Sequence, residues 1–280
     1  MLVIKMMIFQ LLPLIQILNF IFFNILGIDN SVFYWGCLMK KYFKWNHYEI
    51  PNTFPLYDGN CVYFHNHRSE IDFAVDIYST AGKSAIIARW FVFFAAPFMG
   101  ILTMIDNCVF FFSRNGTMDK KKFIKWTYDR LQNSYYRSLN IYPEGTRRMD
   151  NEVMRIKDGG ILYSYEYKSP IQIIITKNKE KIFALKTMTY AENVDCFTFM
   201  SKHINPKDYE SFEEYRTFVC QEWERCWKLV YENEYSSKEC KILQPKYHNK
   251  INNTKNRIMI TQIIFFSTTI VFASLFYNML

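Results

Sequence analysis

The sequence predicts an α/β fold in which a largely parallel central sheet is flanked by helices. Five short runs rich in branched and aromatic residues have the character of strands, and helical segments alternate with them along the chain. The predicted strands are 61–65, 84–88, 108–112, 139–142 and 171–176, and the clearest helices are 73–80 and 119–132. In such sheets ligands bind beyond the carboxyl ends of the strands, so we expect the functional site there.

The segment beyond residue 177 has a weaker pattern. One amphipathic helix is predicted from about Ser211 to Tyr231, and no catalytic cluster is recognised in this part of the chain. No internal repeat or low-complexity linker marks a second domain.

The bulk composition limits the class of protein. With 280 residues, half of them hydrophobic, the chain is large enough to bury one sizeable core and too apolar to be disordered. Its formal net charge of +8 favours an acidic partner, such as a phospholipid surface, a nucleic acid or a polyanionic cofactor. The seven cysteines are scattered without a C-x-x-C pair, so they indicate neither a zinc site nor a redox site, and we expect reduced thiols on a cytosolic face.

Both ends of the chain are predicted to be membrane-embedded. Residues 6–28 and 258–280 contain no charged side chain, and each run is about as long as the 20 residues that span a bilayer as a helix. The second run is predicted to be a transmembrane helix, whereas polar residues such as Gln10 and Asn19 leave the first either a span or an interfacial segment. Lysine and arginine near both runs place everything between them on the cytosolic side.

The first polar cluster follows the strand predicted at 61–65. His67 comes shortly after this strand, and Asp72 follows five positions later. This spacing lets the Asp72 carboxylate turn back to bind the ring nitrogen of His67 that does not react. Such a pair can act as a general base when the nucleophile is a substrate hydroxyl. The structural alternative is a histidine hydrogen-bonded at a strand end and an aspartate that caps the next helix.

The second polar cluster, Tyr142-Pro-Glu-Gly-Thr-Arg-Arg148, also follows an apolar run. Gly145 permits a tight turn with outward-facing N–H groups, Thr146 offers a hydroxyl, and arginine offers a two-pronged phosphate ligand. Together these groups suit a phosphomonoester. The alternative is an ordinary polar turn with an exposed ion pair.

Three segments carry a family resemblance. Asn66-His-Arg-Ser-Glu-Ile-Asp72, Phe112-Ser-Arg114 and Tyr142-Pro-Glu-Gly-Thr-Arg147 resemble, in order and separation, the first three blocks of the glycerolipid acyltransferases. These enzymes make phosphatidic acid from lysophosphatidic acid and acyl-CoA. The resemblance covers about residues 60–176 and implies a glycerolphosphate acyltransferase-like fold.

The resemblance also implies roles for the site residues. His67 is the base that removes the proton of the glycerol hydroxyl, and Asp72 orients it. The residues implied to hold the glycerol phosphate are Arg114, Glu144, Gly145, Thr146 and Arg147. Acyl-CoA is the co-substrate, and no further cofactor and no metal is expected, because the free thiol of coenzyme A leaves easily.

The resemblance weakens at the fourth block of the family. That block normally has a proline inside an apolar strand, whereas here Pro170 begins the strand and Ile173 stands at the inner position. This difference concerns the preference for acceptor or acyl chain rather than the chemistry. Lysophosphatidic acid is the leading acceptor, with glycerol 3-phosphate or another lysophospholipid as alternatives.

The apolar end segments and the family resemblance together lead to four expected parts. These are an N-terminal membrane segment (1–28), the acyltransferase domain (29–176), a C-terminal extension of the same domain (177–257) and a C-terminal transmembrane helix (258–280). We expect the protein in a membrane, with its catalytic domain facing the cytosol. Likeness to the eukaryotic branch of the family implies the membrane of the endoplasmic reticulum.

Three other readings remain open from the sequence. His65, His67 and Asp72 begin a pattern that a metallohydrolase could use, although the remaining histidines show no ligand spacing. A catalytically inactive membrane scaffold is the second reading, and the intact polar clusters argue against it. Nucleic-acid binding has only the net charge in its favour, so no nucleic-acid partner is expected.

Overall fold

A computed structural model describes residues 31–95, 100–101, 103–104, 107–113, 119–134 and 136–246. The two segments predicted to be membrane-embedded, 6–28 and 258–280, lie outside the described residues, and so does Arg114. Among the helices of the described ranges, none is long and apolar enough to cross a membrane.

The core of the fold is one eight-stranded sheet with the order β10-β1-β9-β6-β2-β5-β3-β4. Its strands are β1 (Asn46–Glu49), β2 (Val62–His65), β3 (Ser84–Arg89), β4 (Val109–Phe112), β5 (Ser138–Ile141), β6 (Ile171–Lys177), β9 (Asp195–Met200) and β10 (Lys241–Ile242). A separate small hairpin is formed by β7 (Phe183–Ala184) and β8 (Thr189–Tyr190).

Five neighbouring strands, from β6 to β4 in the sheet order, run parallel to one another. The predicted largely parallel sheet is therefore confirmed, and all five predicted strands are present within a residue or two of their expected bounds. β9 pairs antiparallel with β6 and parallel with β1, and the sequence pattern indicated none of β1, β9 and β10. β9 and β10 come from beyond residue 177 and extend the same sheet.

Helices cover both faces of the sheet. They are α1 (Ser31–Phe43), α2 (Asp72–Ser79), α3 (Trp90–Ala95), α4 (Lys120–Gln132), α5 (Asp158–Glu166), α6 (Lys179–Ile182) and α7 (Phe212–Tyr231), with a 3₁₀ turn at Pro206–Asp208. α1 packs on α2, while α5 contacts both α4 and α7. Right-handed crossovers place the helix that follows β2 and the helices that follow β4 and β5 on opposite faces.

β6 lies near the middle of the sheet, and its first six residues are buried. Ile173, which stands where the family normally has a proline, is fully buried, and its N–H donates to the hydroxyl of Ser201 at 3.0 Å. Ser201 returns a bond from its own N–H to the Ile173 carbonyl at 2.9 Å. This pair closes the ladder where β9 ends.

Replacing Ser201 with alanine should lower the free energy of unfolding by about 1–3 kcal/mol, because the buried Ile173 N–H loses its acceptor. Chemical denaturation of the wild type and the variant measures this difference. Ser236→Ala is the matched control, since Ser236 accepts a hydrogen bond only in an exposed turn and should change stability by less than about 0.5 kcal/mol. Equal stability of S201A and wild type would contradict the prediction.

Candidate active site

The candidate site lies beyond the carboxyl ends of three adjacent parallel strands. β2 pairs with β5 on one side and with β6 on the other. His67 follows β2, the 142–148 cluster follows β5, and Lys179 follows β6. The two clusters predicted from the sequence therefore meet, and a third group that was not predicted joins them.

His67 and Asp72 form a hydrogen-bonded pair. Nδ1 of His67 lies 2.8 Å from Oδ2 of Asp72, which is the first residue of α2. The Asp72 side chain is 1% exposed and that of His67 is 25% exposed. Because the carboxylate accepts the proton on Nδ1, Nε2 is left as the basic nitrogen.

Asp72 is held in place by the loop in front of it. Its Oδ2 also accepts the backbone N–H groups of Arg68 at 2.5 Å and Ser69 at 3.1 Å. The N-cap of α2 is Ile71, and no side chain caps this helix. Asp72 therefore does not have the capping role that the alternative reading gave it.

The ring of His67 stacks on the ring of Tyr142, with centroids 4.2 Å apart and planes 16° from parallel. Two backbone contacts lock the loops that carry these residues. The carboxylate of Glu144 accepts the His67 N–H at 2.5 Å, and the His67 carbonyl accepts the Arg148 N–H at 3.1 Å. The His67 side chain is thus held by a contact at Nδ1 and by stacking on one face of its ring, while hydrogen bonds hold the His67 backbone.

Glu144 has a different place from the one its motif implied. Its side chain is buried and bonded to the His67 backbone, whereas the implied role was to hold a phosphate. Burial raises the pKa of the Glu144 carboxyl to about 7, although the hydrogen bond from the His67 N–H acts in the opposite direction. We therefore assign Glu144 to positioning the loop of His67.

Gly145, Thr146 and Arg147 are exposed beside the pair. The N–H of Gly145 closes a turn onto the Tyr142 carbonyl at 3.0 Å, with Gly145 at φ +70°, a conformation that favours glycine. Arg147 bonds to the carboxylate of Glu70, whose other oxygen accepts a backbone N–H at 3.0 Å. This side of the site offers a cation, a hydroxyl and a glycine turn to a ligand.

Lys157 adds a second cation to this exposed side. A Cβ placed on Gly145 would clash with the Lys157 side chain, so the ammonium lies against the turn. The backbone N–H of Lys157 donates to the Pro143 carbonyl at 2.9 Å, which brings the two segments together. Nothing in the spacing of the sequence identified Lys157.

A buried cluster of charge lies behind the pair. The Lys179 ammonium is fully buried, 3.0 Å from Asp76 Oδ1 and 3.6 Å from Asp72 Oδ1. It also donates to the carbonyl of Asn66 at 2.6 Å. Burial acts to lower the pKa of the Lys179 ammonium, and the charges of Asp72 and Asp76 raise it above its ordinary value.

Asp76 is the second carboxylate of this cluster. Tyr142 donates its hydroxyl proton to Oδ2 at 2.9 Å, and Nδ1 of His65 lies 3.1 Å from Oδ1. Burial acts to raise the pKa of the Asp76 carboxyl, and the charges of His65 and Lys179 lower it below its ordinary value. Asp76 therefore stays ionised inside the protein.

His65 and His67 do not converge on one point. His65 is fully buried against Asp76, whereas His67 is paired with Asp72 near the surface. In the described part of the chain no group of three or more His, Cys, Asp or Glu side chains is arranged to hold a metal ion. The H-x-H pattern thus belongs to two separate contacts.

Arg68 fastens the neighbouring loop. Its guanidinium is buried and donates to the carbonyls of Asp150 and Met149, the latter at 2.6 Å. It also lies over the rings of Trp227 and Tyr231 on α7, at 5.9 and 5.1 Å from the centroids. The loop that follows the 142–148 cluster is therefore tied to α7.

Residues 46–175 match the family model described as Acyltransferase. This segment runs from β1 to the last part of β6 and contains His67, Asp72 and the 142–148 cluster. The family resemblance inferred from the sequence blocks is confirmed: the chain contains an acyltransferase domain.

Among solved structures, the fold is similar to that of PlsC from Thermotoga maritima, a 1-acyl-sn-glycerophosphate (LPA) acyltransferase. The TM-score is 0.58 at 17% sequence identity, and the match covers 75% of this chain and 82% of PlsC. At this identity the similarity shows a shared fold, so the predicted α/β architecture is confirmed. No curated protein matches the sequence of this chain.

Replacing Glu144 with glutamine should change how stability depends on pH. Because the pKa is about 7 in the folded protein and 4.5 ordinarily, protonated Glu144 stabilises the fold below pH 4.5, and this contribution is lost as the pH rises to 7. Glutamine does not titrate, so the stability of E144Q relative to wild type should rise by about 3 kcal/mol between pH 4.5 and 7.

Denaturant unfolding at several pH values measures this difference. Glu234→Gln is the control, because that side chain is almost fully exposed and its substitution should leave the pH dependence of stability unchanged. A constant difference between E144Q and wild type across this range would contradict the burial of a titrating Glu144.

Proposed function

We propose that this protein transfers an acyl group from acyl-CoA to the free hydroxyl of lysophosphatidic acid and so makes phosphatidic acid. The observation that carries the proposal is the 2.8 Å contact of His67 Nδ1 with Asp72, which leaves Nε2 basic on a ring that is 25% exposed. An exposed turn with Thr146 and Arg147 stands beside this ring. The acyltransferase domain and the PlsC-like fold support the same reaction class.

In the proposed mechanism Nε2 of His67 accepts the proton of the acceptor hydroxyl as its oxygen attacks the thioester carbon. The C–S bond then breaks, and the coenzyme A sulfur leaves as thiolate and recovers the proton from the imidazolium. Asp72 stabilises the transient imidazolium and keeps Nδ1 protonated. No covalent intermediate on the enzyme is needed, because the substrate hydroxyl is itself the nucleophile.

The phosphate of the acceptor is assigned to the exposed turn. Arg147 can form paired hydrogen bonds with a phosphate, Thr146 can donate its hydroxyl, and Lys157 adds a nearby positive charge. Arg114 remains part of the proposed phosphate site through its sequence block. Glycerol 3-phosphate and other lysophospholipids are the alternative acceptors, since they also carry a glycerol hydroxyl and a phosphate.

We place the reaction at a membrane surface, with the catalytic domain facing the cytosol and the endoplasmic reticulum as the compartment. The uncharged segments 6–28 and 258–280 support this location. A second support is α3, where Phe91 and Phe94 are each 73% exposed, since exposed aromatic patches mark contact surfaces for lipid or protein. α3 follows the carboxyl end of β3, and the candidate site lies beyond the carboxyl ends of the neighbouring strands.

Replacing His67 with alanine should abolish transfer of labelled acyl from oleoyl-CoA to lysophosphatidic acid, because the general base is lost, a contribution of roughly 100- to 10,000-fold. The assay uses detergent-solubilised full-length protein, with glycerol 3-phosphate and lysophosphatidylcholine as competing acceptors. His203→Ala is the control, since that ring packs on Tyr57 away from the site.

The outcomes of this assay separate the candidate functions. Product from wild type and none from H67A establishes the base, and the ranking of acceptors identifies the substrate. Equal rates for the two proteins would refute the role of His67. Folded wild type that is inactive with every acceptor would favour the inactive membrane scaffold.

Replacing Arg147 with alanine should lower kcat/KM for lysophosphatidic acid by about 10- to 100-fold, because a charged hydrogen bond to phosphate contributes about 1.5–3 kcal/mol. Monoacylglycerol has the hydroxyl but no phosphate, so its use as an acceptor should be little affected. Arg148→Ala removes the same charge one residue away, from a side chain paired with Asp150, and should have a smaller effect. Equal losses for both variants would count against phosphate binding by Arg147.

A further inference from the structure

Lys179 holds a position that the family blocks do not describe. The match to the acyltransferase family ends at residue 175, four positions before it. Its ammonium is fully buried and lies between two carboxylates, 3.0 and 3.2 Å from the oxygens of Asp76 and 3.6 Å from Asp72. A lysine is almost never fully buried unless it is paired, so this placement requires both partners.

The two oxygens of Asp72 have different neighbours. Oδ2 accepts the proton on Nδ1 of His67, whereas Oδ1 lies toward the Lys179 ammonium. The cation therefore acts on the carboxylate from its other oxygen. Contact with Oδ1 favours the orientation in which Oδ2 faces the imidazole.

Charge balance gives Lys179 a second effect. Counted without the neighbouring His65, two ionised carboxylates and the Lys179 ammonium carry a net charge of −1. Without the ammonium the net charge would be −2 in a buried place, and like charges at short range cannot all stay ionised without a compensating proton. That proton would come to rest on a carboxylate or on an imidazole.

We propose that Lys179 is a positioning residue of the acyl transfer: its ammonium holds Asp72 through Oδ1, so that Oδ2 stays aimed at His67, and its charge offsets the negative charge next to the imidazole. This inference rests on the proposed function. The raised pKa of the Lys179 ammonium is consistent with it, since the group stays charged although it is buried.

Other titratable groups surround this cluster and contribute to the same balance. His65 ends β2 and contacts Asp76, while Tyr142 and Glu144 follow β5. Burial, together with the charges of Asp76 and Asp72, raises the pKa of Tyr142 well above its ordinary value, so this group stays neutral. On the loop after β2, Arg68 is paired with Glu180 of α6 at 3.2 Å.

A set of charge-changing variants tests the proposal. Lys179→Met gives the buried group a net charge of −2, Asp76→Asn gives 0, and the double variant K179M/D76N restores −1. The readout is kcat/KM for acyl transfer as a function of pH in the full-length protein. Lys177→Met is the matched control, because Lys177 ends β6, two residues before Lys179, but pairs with Glu234, whose side chain is 95% exposed.

The acid limb of the profile should move up by about one pH unit in K179M, since more negative charge favours imidazolium, and down by about one unit in D76N. In the double variant the limb should return close to that of wild type. We expect kcat of K179M to fall at least tenfold, which is part of the roughly 10,000-fold loss that follows when a triad loses its orienting carboxylate. K177M should follow the wild-type profile.

The outcomes distinguish a failure of the role proposed for Lys179 from a failure of the proposed acyltransferase function. Inactive wild type would refute the proposed function, and the role of Lys179 with it. Active wild type with K179M and D76N limbs that coincide with the wild-type limb would refute Lys179 alone, even if kcat falls, because a purely structural role lowers activity without moving the limb. If K179M does not fold, K179M/D76N is compared with D76N, because these two variants differ only at residue 179. An acid limb higher than that of D76N supports the role of Lys179, and coinciding limbs refute it.

Discussion

The arrangement of the site depends on one buried ammonium between two carboxylates. Asp72 and Asp76 lie one helical turn apart on α2, so their carboxylates face the same side of that helix. Two such charges inside a protein are tolerable only when a cation and hydrogen-bond donors compensate them. Lys179 supplies the cation, and Tyr142 and the backbone N–H groups of Arg68 and Ser69 supply the donors.

This compensation links three strands. Asp72 and His67 follow β2, Tyr142 follows β5, and Lys179 follows β6, so the ends of three neighbouring strands are joined through polar contacts. Asn66 adds to the joint, because its side chain accepts the Thr176 N–H at 3.0 Å and its carbonyl accepts from Lys179 at 2.6 Å. The geometry of the dyad is therefore a property of the sheet as well as of its own loop.

The sequence predicted those parts of the site that are local. His67 and Asp72 are separated by one short loop, and the strand, turn and helix that join them leave few other arrangements. Gly145 was also predictable, because a tight turn after a buried strand requires a residue that tolerates a positive φ. The five parallel strands were also predictable, because each one is a short apolar run that can be recognised from neighbouring residues alone.

The parts that were missed depend on long-range contacts. Lys179 stands in the run Lys177-Asn-Lys-Glu-Lys181, which has the composition of a solvated turn, and its burial depends on contacts with Asn66, Asp72 and Asp76, more than a hundred residues earlier. The rule that placed the other two clusters beyond strand ends applied here as well, since β6 was predicted. Glu144 was expected among the residues that hold the glycerol phosphate, whereas the approach of the two loops buries its side chain against the His67 backbone. β1 and β10 have only four and two residues, and β1 pairs with strands about 150 or more residues away, so neither was visible as a local pattern. β9 has six residues and was missed although it is as long as the predicted strands.

The contacts of Arg68 indicate which residues the domain must include to keep the candidate site intact. The segment that matches the family model stops at residue 175, but the guanidinium of Arg68, the residue after His67, packs between the 149–151 loop and two rings of α7. Trp227 of α7 in turn donates to the Asn151 carbonyl at 2.8 Å. A fragment that ends at residue 175 would keep both polar clusters but would lose α7, on which Arg68 and the 149–151 loop pack. The smallest portable unit that keeps the candidate site intact therefore extends at least to Tyr231, and exchanges of this domain between proteins should be designed with that boundary.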